Sequence, residues 1–322
     1  MFQHVIAFFS SIPFFSSAVF GIAAMVLVGS SWCAVGFIMG AAPKKGIEPS
    51  LIQLFGGAVS ITLGAVILLA TDAWPTASKE ATFWTLLVFG CSGAVNFCML
   101  QTMSKAMQYG PNGLVWGIIQ SSLVFPFIVG VVFFDTEINS VRTAGIILLL
   151  LALLFFALTK GNRTEQKNHI WKILAFAGML LAALQQNLAT APSYFEAADG
   201  VNCICRTIAS AAGTFTAAII WNLIFANKEY FVKIKNSIKN PGLWYYIAIL
   251  QLFTLVFSYL LLYPGMNVMA SHGMGGICYP MMVGSCIVMF TLTGAVVLKE
   301  KISPMQMIAI ISCIAGLACI CQ

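Results

Sequence analysis

Three side-chain amides stand in a row, Gln185-Gln186-Asn187, inside a stretch that is otherwise largely apolar from Trp171 to Ala191. Each amide offers two donors and an acceptor, and successive helical residues point about 100° apart. One neighbouring helix cannot serve all three, so the pattern predicts a wet cavity along at least one side of the segment. Other residues repeat the theme. Trp116 and Gln120 are four apart and share a helix face, as do Tyr259 and Tyr263, with Asn267 one turn on. Trp32, Asn96 and Tyr279 are also polar-tipped groups in apolar surroundings. Aromatic walls with a few placed hydrogen-bonding groups suit a solute that has both an apolar face and hydroxyls. A packed core would use Leu or Phe at such spacings. Trp32, Asn96, Trp116, Gln120, Gln185, Gln186, Asn187, Tyr259, Tyr263, Asn267 and Tyr279 are therefore the candidate solute-binding set. The isolated Gln53, Asn222 and Gln251 read instead as amides that join helices.

Charge informs by its absence. No ionisable residue stands unambiguously at the middle of an apolar stretch. Lys105, Glu196, Asp199, Arg206 and His272 come nearest, all at the ends of such stretches. Glu196, Asp199 and His272 are the candidates for coupling a proton or sodium ion, although charged groups at such ends are ordinarily solvated. No phosphate-cradling glycine loop, nucleophile with its base, or metal-ligand spacing occurs, so the sequence is read as that of a non-enzyme with no cofactor and no metal. Cys203 and Cys205 are the only close polar-region pair among ten cysteines, and no second pair with zinc spacing accompanies them. The cysteines in apolar stretches serve as small hydrophobes.

The elements that must position these groups follow from composition. Of 322 residues, 60% are hydrophobic and only 8% charged, and mean hydropathy is strongly positive. A soluble domain carries about 25% charged residues, so this chain needs the bilayer as its solvent. Apolar runs of about twenty residues mean helices and not barrel strands. Ten spans are expected: 18–39, 50–71, 83–108, 113–134, 141–158, 171–191, 203–226, 243–263, 276–298 and 304–321. Residues 1–16 hold no Lys or Arg, so they lack the basic start of a cleaved leader and read as an interfacial lead-in.

The chain also repeats itself. Adding 163 to a position carries Gly110 onto Gly273, Gly113 onto Gly276, Ser122 onto Ser285, Glu137 onto Glu300 and Ser140 onto Ser303. Trp116 falls on Tyr279 and Asn96 on Tyr259, which predicts matching heights in two copies of one unit. An odd number of spans per unit makes the copies inverted: 1–160 and 170–322, joined by a cytoplasmic linker at 161–169. Loops after odd-numbered spans hold thirteen Lys and Arg, and the opposite side holds Lys79, Arg142 and Arg206. By the positive-inside rule the thirteen lie in the cytoplasm and both termini outside. The net charge of +6 is thus an orientation signal and gives no reason to expect nucleic acid.

Two inverted sets of five spans, each with an acid before its last span, resemble the ten-helix drug/metabolite transporter superfamily. The residues that carry the likeness are Phe134-Asp-Thr-Glu137, Leu298-Lys-Glu300-Lys-Ile-Ser-Pro304 and the small residues Gly145 and Gly316 in the final spans. Pro43-Lys44-Lys45, Asn96 and the outward termini are similar to the sugar-uptake members, such as rhamnose–proton symporters. The resemblance implies a central cavity lined by spans one, three, four, six, eight and nine. This chain departs from the proton-driven members in having no obvious buried carboxylate. The expectation is an alternating-access secondary transporter in a bacterial inner membrane, for a small, polar, largely uncharged solute, sugar first. An amino-acid or other metabolite carrier of the same fold is the alternative, and a non-transporting receptor or assembly protein is the alternative of another class. The sequence leaves oligomeric state open. With both termini outside, a reporter that is active only in the cytoplasm gives no signal when fused after Gln322; strong activity there overturns the orientation.

Overall fold

The computed structural model describes residues 16–110, 112–158, 170–253, 257, 260–297 and 303–320. All regular structure among them is helical: α1 (Ala18–Ser31), α2 (Cys33–Ala41), α3 (Pro49–Thr71), α4 (Lys79–Tyr109), α5 (Asn112–Gln120), α6 (Val124–Phe133), α7 (Ser140–Leu158), α8 (Ile170–Thr190), α9 (Cys203–Ile224), α10 (Lys228–Lys239), α11 (Pro241–Phe253), α12 (Tyr263–Ser271), α13 (Cys278–Val297) and α14 (Pro304–Ile320). Side-chain oxygens start several of them. Ser78 accepts from the Ala81 N–H at 3.1 Å and Asn202 from Cys205 at 3.0 Å, each serving a donor the first turn leaves free.

Six segments are long and apolar enough to cross a membrane: Ala18–Ala41, Pro49–Thr71, Lys79–Tyr109, Val115–Phe133, Ile170–Tyr194 and Cys203–Ile224. Shorter apolar helices occupy Ser140–Phe155, Pro241–Phe253, Gly275–Phe290 and Pro304–Ile320. This is a multi-pass α-helical membrane protein. Leu69, Ile173, Leu223 and Ile224 are each about 70% exposed on outward faces, as lipid-facing side chains must be.

Glycines set the helix spacing. A Cβ on Gly93 of α4 would stand 1.8 Å from the Ser210 carbonyl of α9, and one on Gly213 of α9 would stand 1.8 Å from the Gly90 carbonyl of α4. Gly29 of α1 lies against the Met282 backbone of α13, and Gly145 of α7 against Gly316 of α14. Small residues let backbones touch where no hydrophobic drive exists between helices in lipid. α4 consequently packs along both α8 and α9, α3 lies on α9, α1 on α13 and α12, and α7 on α14.

Two expectations need correction, and two of the spans carry a local break. Residues 227–241, read as a basic loop, contain the helix α10. Asn227 caps it by accepting from the Tyr230 N–H at 2.8 Å, and Tyr230, Ile234 and Ser237 recur at helical spacing on its inward side. The eighth segment does not end at Tyr263: α12 starts there and carries Asn267 in a helix. Pro264 sits in the first turn of α12, where its missing N–H costs nothing. The first and fourth segments are interrupted, at Trp32 and at the 3-10 turn Ser121–Leu123. The lead-in, the 161–169 linker, Tyr259 and Glu300 lie outside the described residues.

Replacing Gly93 with Leu therefore forces α4 and α9 apart, at a cost of about 1–3 kcal/mol or more. The control is Gly117→Ala, because a Cβ added at Gly117 meets nothing nearer than 3.8 Å. Thermal melting of the purified protein should show a lower midpoint for Gly93→Leu and an unchanged one for Gly117→Ala.

Candidate functional site

The three amides turn in three different directions. The Gln185 side chain reaches Ser92 Oγ of α4 at 3.5 Å, and the Gln185 backbone carbonyl accepts from the same hydroxyl at 3.2 Å. Gln186 donates to Ser122 Oγ at 2.9 Å in the turn between α5 and α6. Asn187 donates to the Ala183 carbonyl of its own helix at 2.8 Å. The angular reasoning thus holds, since no one helix serves the three, but Asn187 needs no cavity because it bonds back along its own turn.

The helices packed against α8 and α13 carry several of the predicted residues. The Tyr279 ring lies 5.9 Å from Trp32, which stands at the break between α1 and α2. Tyr263 is buried at the start of α12 and meets Phe89 edge-on at 4.9 Å. Asn96, half-buried, lies on the same face of α4 as Ser92, one turn on. Gln120 is buried where α5 tightens into the Ser121–Leu123 turn, two residues before the serine that receives Gln186.

Trp116 belongs to a different part of the site from Tyr279. It stacks on Phe290 at 5.8 Å, and Phe290 stacks on Phe37 at 4.2 Å, so that α1–α2, α5 and α13 meet through three rings. Gly36 leaves the space for Trp116, since a Cβ there would stand 2.9 Å from the indole. A second aromatic group lies at the other end of α8. Phe134 stacks on Tyr194 at 4.0 Å and meets Phe195 edge-on. Gly275 and Gly276 press on Tyr194 and Thr136, and the Gly276 N–H donates to Thr136 Oγ1 at 3.3 Å.

Several polar atoms here are buried without a hydrogen-bond partner among the described residues: the Gln186 Oε1 acceptor and the Trp116 Nε1–H donor, and, past the far end of α8, Ser193 Oγ and the Tyr194 hydroxyl. An unmet buried polar group costs about 1–3 kcal/mol, so leaving the Gln186 acceptor and the Trp116 donor among aromatic walls favours a ligand that supplies the complement.

The remaining candidates are placed elsewhere. Asn267 accepts from Arg206 Nη1 at 2.9 Å. Arg206, only 1% exposed, also donates to the Val201 and Ala198 carbonyls at 2.7 Å each, and its guanidinium lies over the Phe89 ring. It ties the 198–202 turn to α12. Glu196, Asp199 and His272 are exposed, with the His272 ring against the Val268 carbonyl of its own helix. None of the three coupling candidates is buried. Among the structural amides, Asn222 accepts from Tyr230 at 2.8 Å and Ser50 at 3.2 Å, and Gln251 accepts from Ser60 at 2.6 Å. Gln53, expected to join helices, makes no such bond: both its amide atoms are unpartnered among the described residues. Sequence reasoning missed Ser92, Phe37 and Phe290, whose types carry no signal in so apolar a chain.

No protein-family model matches the chain, and no curated protein matches it in sequence. Among solved structures, one described only as the crystal structure of a protein superposes over 94% of this chain and 96% of its own, with a TM-score of 0.65 and 15% identity. At that identity the likeness is one of fold.

Removing the Arg206 guanidinium leaves two carbonyls and the Asn267 amide without their charged donor. Arg206→Met should therefore destabilise by about 2–4 kcal/mol, read by thermal melting, because bonds to a charged group are worth about 1.5–3 kcal/mol each. His272→Ala, at the surface, should stay within about 0.5 kcal/mol of wild type.

Proposed function

We propose that the chain is a secondary transporter of the drug/metabolite type, with ten spans in two inverted five-span repeats, moving a small, polar, largely uncharged organic solute. The observation that carries the reading is the pair of unmet buried atoms, Gln186 Oε1 and Trp116 Nε1–H, in an aromatic-lined region between helices. A hydroxyl is both donor and acceptor, so a solute with several hydroxyls, such as a sugar, complements them while its apolar face lies on a ring.

The helix pairings support the inverted repeat. If spans one to five correspond to six to ten, α3 packs on its counterpart α9, and α7 on its counterpart α14. The contact of α1 with α13 then mirrors that of α8 with α5 and α6, and the contact of α4 with α9 mirrors that of α11 with α3. Two residues matched by the 163-residue offset to partners in the other copy also meet each other. The Glu137 N–H donates to the Gly273 carbonyl at 3.3 Å, and Glu137 clamps Arg142 through a 3.7 Å ion pair and its own carbonyl.

Alternating access needs a closure on either side of a central site. The Phe37–Phe290–Trp116 stack and the Phe134–Tyr194–Phe195 group lie towards opposite ends of α8, with Gln185 and Gln186 between them. Both groups are closed here, which suits an occluded arrangement. Each consists of stacked rings on separate helices, and parting one set exposes the centre to one side only.

Uptake assays corrected for protein level test the reading. Gln186→Ala and Trp116→Ala should each weaken apparent affinity for the transported solute by about tenfold to a hundredfold, the equivalent of about 1–3 kcal/mol for an unpaired buried group. Asn222→Ala should lower protein level and leave affinity unchanged. If Gln186→Ala and Trp116→Ala keep wild-type affinity while Asn222→Ala loses it, the site lies elsewhere. A protein that binds solutes without moving them across vesicle membranes is a receptor and not a transporter.

A further inference from the structure

A cavity of about 330 Å³ opens where α4 and α9 end, beside the first turn of α3 and under α10. It lies away from the central site, and its chemistry is different. Glu48 and Glu229 line it together with Lys105 and Lys233, and Trp221 gives it an aromatic wall. Among the described residues the one ion pair within 4 Å is Arg142–Glu137, so neither carboxylate of the cavity is paired with either of its ammonium groups. Four charged groups of both signs thus line one space without forming an ion pair within 4 Å. Gln101 also lines it: the residue is only 6% exposed, and its Nε2 donor has no partner among the described residues.

α10 fixes this arrangement. Tyr230 bonds Ser50 at 2.9 Å and Asn222 at 2.8 Å, and Ser237 accepts from the Glu48 N–H at 3.0 Å and donates to the Gly46 carbonyl at 3.2 Å. These bonds hold the helix across the mouth and set Glu48 opposite Lys233. Burial pushes the Glu48 carboxyl above the usual carboxylate range, with Lys233 drawing it part of the way back.

We propose that this cavity is a second binding site, for a small zwitterion of the α-amino-acid class. The ligand ammonium lies between Glu48 and Glu229 against the Trp221 face, where ring and carboxylates both attract a cation. The ligand carboxylate takes the Gln101 N–H and the Lys105 and Lys233 ammonium groups, a charge-assisted set that leaves no member of the site unmet. The cavity is at the lower end of the size range of small-molecule sites, about 300–1,000 Å³, which matches a ligand of amino-acid size. An uncharged sugar would make no use of the four charges, and an anion alone would face two carboxylates.

Calorimetric titration of the purified full-length protein in detergent tests the site, with a panel of neutral α-amino acids, their N-acetyl and carboxamide derivatives, inorganic phosphate and glucose as probes. At least one amino acid should bind. Its N-acetyl derivative, without the ammonium, and its carboxamide, without the carboxylate, should each bind at least about tenfold more weakly, as should the parent to Gln101→Leu and Lys233→Met. Trp116→Ala should leave this binding unchanged, which separates the site from the central one. The proposal is overturned if no amino acid binds, if either derivative or phosphate binds as well as the parent, or if Trp116→Ala abolishes binding while Lys233→Met does not. Should Gln101→Leu fail to fold, Glu48→Gln at the rim takes its place and must show the same loss.

Discussion

A polar group between helices in lipid has no water to fall back on, and the rest of this structure depends on how that constraint is met. Backbone donors are drawn into helices, and the helices then approach through glycine at Gly29, Gly93, Gly145 and Gly213. Close backbones leave little room for large polar side chains. Those that remain must find partners across the contact, as Gln251 finds Ser60 and Gln186 finds Ser122. At Gln186 Oε1 and Trp116 Nε1, as at the Gln53 amide, no partner is found among the described residues.

Two kinds of buried polar chemistry result, and their locations differ. The middle of the bundle holds amides and polar-tipped rings without a carboxylate or ammonium among the described side chains of the cluster. Charge gathers at the ends. Arg206 is the extreme case, sealed from water yet fully engaged with two carbonyls and an amide, so that its charge is spread over dipoles instead of a counter-ion. Low dielectric makes each such bond strong and its loss expensive, which explains why a neutral residue could not hold the 198–202 turn in the same way. The cavity beneath α10 is the opposite case, with charges that face solvent and one another at a distance.

The aromatic groups join helices without directional bonds. Ring stacks between separate helices, such as Phe37 on Phe290, bury area without directional bonds and can part without leaving polar atoms stranded. Glycines at their backs, Gly36 behind Trp116 and Gly275 against Tyr194, allow the rings to sit flush. A carrier that opens alternately at its two ends needs contacts of this kind at both, and hydrogen-bonded helix contacts such as those of α4 with α8 between them.

The sequence by itself determined that this is a helical membrane protein, because a chain 60% hydrophobic and 8% charged has no other way to satisfy its backbone. Apolar run length placed the helices, and the angular step of a helix established that Gln185, Gln186 and Asn187 would need separate partners. Tertiary structure alone decided which partners. Ser92 lies 93 residues from Gln185 and Ser122 lies 64 from Gln186, and nothing local singles them out from other serines. It also decided that Asn187 would turn back on its own helix, that Asn267 would be taken up by Arg206, and that Trp116 would stack on Phe290 away from Tyr279. The 227–241 segment misled for a related reason: its lysines suggested a solvated loop, while the apolar and hydroxyl groups that make α10 a helix act only once Ser50, Asn222 and the Gly46–Glu48 backbone are there to receive them. Composition and periodicity report the solvent each residue wants; which residues meet is set by how whole helices pack, and in so apolar a chain many packings satisfy the same pattern.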